Sequence, residues 1–435
     1  MATENSFCPS AALRNLFSNV YLRKLARETG MVTRKRKIDP VAFFWTLVLG
    51  FGQGRMRQIS TLRRFYQSTT GCMLEESSFY YRFNLPLVKF LKQAVAHALQ
   101  QTLGSNRPLE GILASFRDVL ITDSTVLKLH QLLEGAYAGC RTTSSPAAAK
   151  VHLLYCVSGS SKQKVQITSE RHPDGKQLKV GPWVKDRLML FDLGYYRFGL
   201  FNRLHKLGGF YISRMKTSAN PKIVAVNHQT AGQAIELKGQ FLQDVLPRLK
   251  RQSFDLIVEL SYQARAYKGS RKRHTFQCRL VGIRNDETGE YHAYFTNIPM
   301  AQLDSSQIAS VYQLRWQIEL LFKELKQHYR LDQLPSTQKH IVEALIYTAI
   351  LSVLVSRRLM QLMVLSHFKE RKRINSDRWA ALFASQASTL LTILLAPSRV
   401  AKWLTKNFMM LMHHEVLDPH LDRSNLLGRV ENACF

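Results

Sequence analysis

The distribution of apolar periodicities confines this 435-residue chain to an α/β core framed by helices. From about residue 117 it runs through short β-like segments, RDVLITDST, AKVHLLYCVSG, QKVQITSE, DRLMLFDLG and GGFYISRMK, separated by the loop RTTSSPAAA and the turn signal RHPDGK. A helix is predicted at 197–207, so the strands first meander and then alternate with helix, the pattern of an α/β domain. Residues 217–298 alternate apolar and polar positions around the turns AYKGS and NDETGE, which predicts antiparallel strands. Residues 11–104 instead carry helical periodicity in LRNLFSNVYLRKLARETG, PVAFFWTLVLGFG and LPLVKFLKQAVAHALQQTLG, each followed by glycine. Helices are predicted again across 338–367, 376–395 and 397–413. The segment MRQISTLRRFYQSTTGCMLEESSFYYRF has the outline of a helix-turn-helix, which any small helical bundle also produces.

Charge narrows the class of partner. The chain has 61 Lys and Arg against 31 Asp and Glu, a formal charge of +30, and such a surplus implies a large polyanion, nucleic acid before an anionic membrane. Glu4 and Asn5 interrupt any signal-peptide run. The most hydrophobic segment, Ile341 to Leu365, contains Glu343 and the pair Arg357–Arg358, so it reads as a buried core helix, because a span needs ~20 nearly uncharged residues. Cys8, Cys72, Cys140, Cys156, Cys278 and Cys434 are scattered without close pairs or accompanying histidines, which predicts neither a zinc template nor a disulfide framework. A cytoplasmic setting follows, with Cys156 as plain core.

The stretch YQLRWQIELLFKELKQHYR, from Tyr312, is the most specific feature. At ~100° per residue, Tyr312, Arg315, Glu319 and Lys326 fall at roughly 0°, −60°, −20° and −40°, on one face. Val311, Leu314, Ile318, Leu321 and Leu325 form the opposite, apolar stripe. The helix is predicted to begin near Asp304-Ser305-Ser306, good N-cap residues. Two further carboxylates follow apolar strand runs, Asp123 after VLIT and Asp192 after LMLF. Acids from separate elements that converge suit divalent ions in phosphoryl transfer. Each has a plainer reading: either Asp is a turn former, and Glu319 is half of a surface pair with Lys323.

The string Y-x2-R-x3-E-x6-K, with the upstream DST and the Asp of FDLGYYRF, resembles the bacterial cut-and-paste DDE transposases of the insertion-sequence-4 group, the Tn5-like enzymes with a YREK signature. The resemblance covers about residues 117–335. It implies an RNase H-like catalytic core interrupted by an antiparallel β-rich insertion, with helical N- and C-terminal regions. The divisions expected are a helical DNA-binding domain at 1–110, the core at 111–216 and 301–336, the insertion at 217–300, and a helical region at 337–435 where two protomers would pair. It makes Asp123, Asp192 and Glu319 the catalytic and metal-binding triad, served by two Mg²⁺ ions for which Mn²⁺ can substitute. Tyr312, Arg315, Lys326 and Lys323 would contact DNA phosphates. A base-stacking aromatic is expected late in the insertion, where this chain has His292 between Tyr291 and Tyr294. The implied function is cleavage of double-stranded DNA at transposon ends through a hairpin, followed by transfer into target DNA. A homodimeric synaptic complex in the cytoplasm, at the nucleoid, would perform it, without a membrane. Two rivals remain from the residues: an RNase H-type nuclease without strand joining, and a transposase-derived DNA-binding protein without catalysis.

Overall fold

Ten strands form: β1 (Asp118–Lys128), β2 (Ala138–Arg141), β3 (Ser145–Cys156), β4 (Lys164–Ser169), β5 (Arg187–Phe191), β6 (Phe210–Arg214), β7 (Lys222–Val226), β8 (Ser253–Gln263), β9 (Arg273–Arg284) and β10 (Tyr291–Thr296). All but β2 fall in segments read as β, and the predicted loop RTTSSPAAA is in part strand, because β3 begins at Ser145 and pairs there with β2. They make one mixed sheet in the order β2-β3-β1-β5-β6-β10-β9-β8-β7, with β4 also paired to β3. The β1–β3 and β3–β4 pairs are antiparallel, whereas β1, β5 and β6 run parallel, the last two connected through the helix at 198–206. The strands predicted for 217–298 are antiparallel as expected. They do not make a second sheet, because β10 pairs with β6 and carries the core sheet onward.

The computed structural model describes residues 8–34, 37–52, 58–102, 109–141, 145–157, 163–227, 236–263, 272–329, 331, 334, 336–367, 375–395 and 398–416. Its helices are α1 (Pro9–Leu16), α2 (Asn19–Glu28), α3 (Pro40–Gly52), α4 (Ile59–Thr70), α5 (Glu76–Tyr80), α6 (Leu85–Thr102), α7 (Asp174–Gln177), α8 (Phe198–Lys206), α9 (Leu242–Val245), α10 (Ser305–Tyr312), α11 (Trp316–Gln327), α12 (Lys339–His367), α13 (Ser376–Leu395) and α14 (Ser398–Glu415). The helical run predicted from residue 11 divides at Ser18, whose hydroxyl caps α2 by accepting from the Tyr21 amide. Gly50 does not end α3 but lets α4 approach, since a Cβ there would lie 2.8 Å from the Phe65 ring. α4 and α5 occupy the helix-turn-helix outline, whose Met56 and Arg57 lie outside the described residues. So do Lys35, Arg36, Arg55, Arg271, Cys434 and the basic linker at 368–374.

The N- and C-terminal helices share one body. α12 packs on α6, α3 and α1, and α13 packs on α3, α1 and α4. Both α12 and α13 have the length and apolarity of a membrane span, but Ile341, Leu345, Leu351 and Val355 of α12 are buried in a core shared with α3 and α6. That core also covers one face of the sheet. The other face packs a separate cluster built on Met189, Phe191, Phe201, Tyr211 and Phe295. The five described cysteines, Cys8, Cys72, Cys140, Cys156 and Cys278, form no disulfide with one another, and Cys156 is buried as expected.

Candidate active site

Sheet register brings the two strand acids together. Thr122 of β1 lies beside Phe191 of β5, and Phe191 beside Ser213 of β6, so Asp123, Asp192 and Arg214 follow as a row at the end of the parallel ladder. Asp123 is not at a strand end, as the sequence suggested. β1 runs on to Lys128 because β3 continues to pair with it, Asp123 opposite Leu153. Alternation sends Ile121 to the face covered by the helical body and Leu120 to the other, so Asp123 shares the face of Ile121.

The third acid arrives from above that face. α10 starts with Asp304 as N-cap in a capping box with Gln307, as expected. A 3₁₀ turn over Gln313–Arg315 then leads into α11, so the segment is not one unbroken α-helix. All five residues of the expected apolar stripe are buried. Glu319 pairs with Arg315 at 2.7 Å, not with Lys323, and Arg315 Nη1 also lies 3.8 Å from Asp123 and 3.9 Å from Asp192. The three carboxylates therefore surround one guanidinium nitrogen. Asp123 is pushed up to about 6 by burial, reinforced by repulsion from Asp192 and Glu319 and opposed by the Ser124 amide and Arg315.

The remaining predicted residues divide. Lys323 is exposed and Lys326 half-buried, beside Glu319 on α11, and neither makes an ion pair among the described residues. Tyr312 is buried rather than presented on the polar face: the 3₁₀ turn sinks it onto the sheet, where its hydroxyl donates to the Phe191 carbonyl at 3.0 Å. Its ring lies 5.0 Å from that of Tyr294 and under the Arg315 guanidinium at 5.6 Å. Tyr294 is likewise buried. Tyr291 points to the opposite sheet face, against Phe254, with its hydroxyl donated to the Arg251 carbonyl. His292 is half-exposed on the face of Tyr294, one pleat farther along β10.

Three neighbours escaped the sequence reading. Exposed Arg214 pairs in register with Tyr294 and completes the row with Asp123 and Asp192. Trp316, 56% exposed, directly follows Arg315, and helical arithmetic would have put it near 40°, on the polar face. Asp174, read only as part of a turn, accepts from the Ser124 hydroxyl at 2.8 Å and lies 3.4 Å from both Lys150 and His152, bracing β1 from behind. Burial pushes His152 down to about 4.

Among the described residues no three acid, histidine or cysteine side chains are drawn close enough to cage an ion. The donor set nonetheless fits one: three hard carboxylates from separate elements suit Mg²⁺ or Mn²⁺, and a cationic nitrogen already lies within 3.9 Å of each.

Residues 114–355 match the family described as Transposase DDE domain. The chain is 23% identical to the transposase for insertion sequence element IS231F of Bacillus thuringiensis subsp. israelensis, over 92% of this chain and 90% of that one. It is 24% identical to the transposase for IS1151 of Clostridium perfringens, over 80% and 79%. The chain also has a weak likeness, with a TM-score of 0.45 and 11% identity over 99% of this chain and 86% of that one, to a piggyBac transposase in a synaptic complex with hairpin DNA. The chain belongs to the transposase DDE-domain family and is a DDE transposase, an enzyme that cleaves DNA and transfers its strands.

Proposed function

We propose that this transposase belongs to the insertion-sequence-4 group and works by cut-and-paste through a hairpin at the element's end. The observation that carries the reading is the convergence of Asp123, Asp192 and Glu319 on one cationic nitrogen. The strand arrangement β4-β3-β1-β5-β6, antiparallel on one side of β1 and parallel on the other, supports an RNase H-like core. The antiparallel strands between β6 and α10 support an insertion at 217–300. The divisions at 1–110, 111–216, 301–336 and 337–435 are proposed with it.

In this reading the three carboxylates hold two divalent ions, Mg²⁺ or Mn²⁺. When bound, these supply a nucleophile at neutral pH and stabilise the departing 3′-oxygen. The chain's own residues do the rest. Arg315, Lys323, Lys326 and Arg214 take phosphates of double-stranded DNA, at transposon ends and in the target. Tyr312 acts from beneath, supporting Arg315 and fixing the end of β5 before Asp192. Trp316 replaces Tyr291 and Tyr294 as the aromatic offered to an unstacked base, with His292 beside it; such stacking is worth ~1–3 kcal/mol. Two protomers assemble on DNA at the nucleoid. An assay with precleaved ends and Mg²⁺ tests this against a plain RNase H-type nuclease: joined product is expected, and cleavage without joining would replace the reading with the nuclease.

A further inference from the structure

Arg315 is held differently from a structural arginine. Its one close ion pair is to Glu319 at 2.7 Å, while Asp123 and Asp192 lie at the outer edge of pairing, 3.8 and 3.9 Å away. Its Nε is buried without a hydrogen-bond partner among the described residues, a state that costs free energy. Charge rather than complete hydrogen bonding therefore keeps the guanidinium in place. One positive charge also leaves the three acids it touches with a net negative charge. A divalent ion among the same carboxylates would meet the guanidinium at a distance where like charges repel strongly in a half-buried setting. The guanidinium has an alternative partner at hand. Exposed Lys323 and Arg214 border the site, marking where a phosphate backbone would lie, and arginine binds phosphate through its fork of donors.

We propose that Arg315 is a resident counter-ion: it holds Asp123, Asp192 and Glu319 together in the DNA-free protein and vacates their centre when a DNA phosphate takes its guanidinium. Metal loading and DNA binding are then coupled, each strengthening the other by the same factor. This rests on the reading of the three acids as the metal site.

The test is Mn²⁺ binding to the full chain without DNA, followed by electron paramagnetic resonance of the free ion. Arg315→Met removes the charge while keeping the bulk and is expected to bind Mn²⁺ on the order of tenfold more tightly than wild type. Arg315→Lys, which keeps the charge, is expected to stay near the wild-type affinity. A merely structural arginine would give the opposite sign, since its loss would scatter the ligands. Arg315→Gln, retaining a donor toward Glu319, is expected to behave as Arg315→Met and serves if the latter does not fold. Unchanged or weaker binding in the neutral variants, with Glu319→Gln still weakening binding, overturns the counter-ion role and leaves the metal site standing. Binding indifferent to both Glu319→Gln and Asp123→Asn removes the metal site and this proposal with it.

Discussion

Two acid–arginine clusters lie on the same face of one sheet, and they differ in how far their charge is balanced. In the first, Asp255 of β8 receives Arg279 of β9 through Nε at 3.0 Å and Nη2 at 2.6 Å, and also accepts from Asn227 and Ser305. Arg279 Nη1 donates to the carbonyls of Ile298 and Leu303, so the pair is buried, well bonded and fastened to the start of α10. In the second, three acids share one arginine that has a nitrogen unpartnered among the described residues, at the end of the β1–β5 ladder. The first balances its charge and fixes the loop that launches α10 and, through it, α11. The second keeps an excess of negative charge for use.

The largest expected effect breaks the framework cluster. Arg279→Met strands Asp255 without its counter-charge, and urea unfolding should register a loss of ~3–5 kcal/mol. A loss below ~1 kcal/mol would erase the distinction between the clusters.

The next effect has the opposite sign and depends on pH. Asp123 is raised in the fold from 3.8 to about 6, so its favourable contribution is complete below about pH 4 and disappears as pH rises through 6. In chelator, Asp123→Asn should gain on wild type by about 2 kcal/mol between pH 4 and pH 7. A variant-minus-wild-type difference that stays flat across that window contradicts the strained acid. The smallest effect lies at the rim. Lys326→Ala should leave the melting temperature unchanged and reduce the salt slope of DNA binding by about one; an unaltered slope removes Lys326 from the DNA contacts.

The same contrast explains what could be read from sequence. Strands β1 and β5 and the apolar stripe from Val311 to Leu325 were legible because burial imposes periodicity on neighbouring residues. The convergence of Asp123, Asp192 and Glu319 was legible because a signature of spaced residue types crosses three elements. Arg279 and Asp255 were not, being 24 residues apart in separate strands whose pairing register no local pattern encodes. The burial of Tyr312 was hidden because the helical arithmetic contained neither the 3₁₀ turn at 313–315 nor the sheet beneath it. Arg214 joins the site only through parallel register with Asp192, which no local pattern encodes.

The central claim is that the undercompensated acids perform the chemistry, and Glu319→Gln tests it most directly. The substitution keeps size and removes the charge at the acid closest to Arg315. DNA affinity should remain within a few-fold of wild type while Mg²⁺-dependent cleavage falls to background. Cleavage at the wild-type rate by a folded, DNA-binding Glu319→Gln protein would contradict the account.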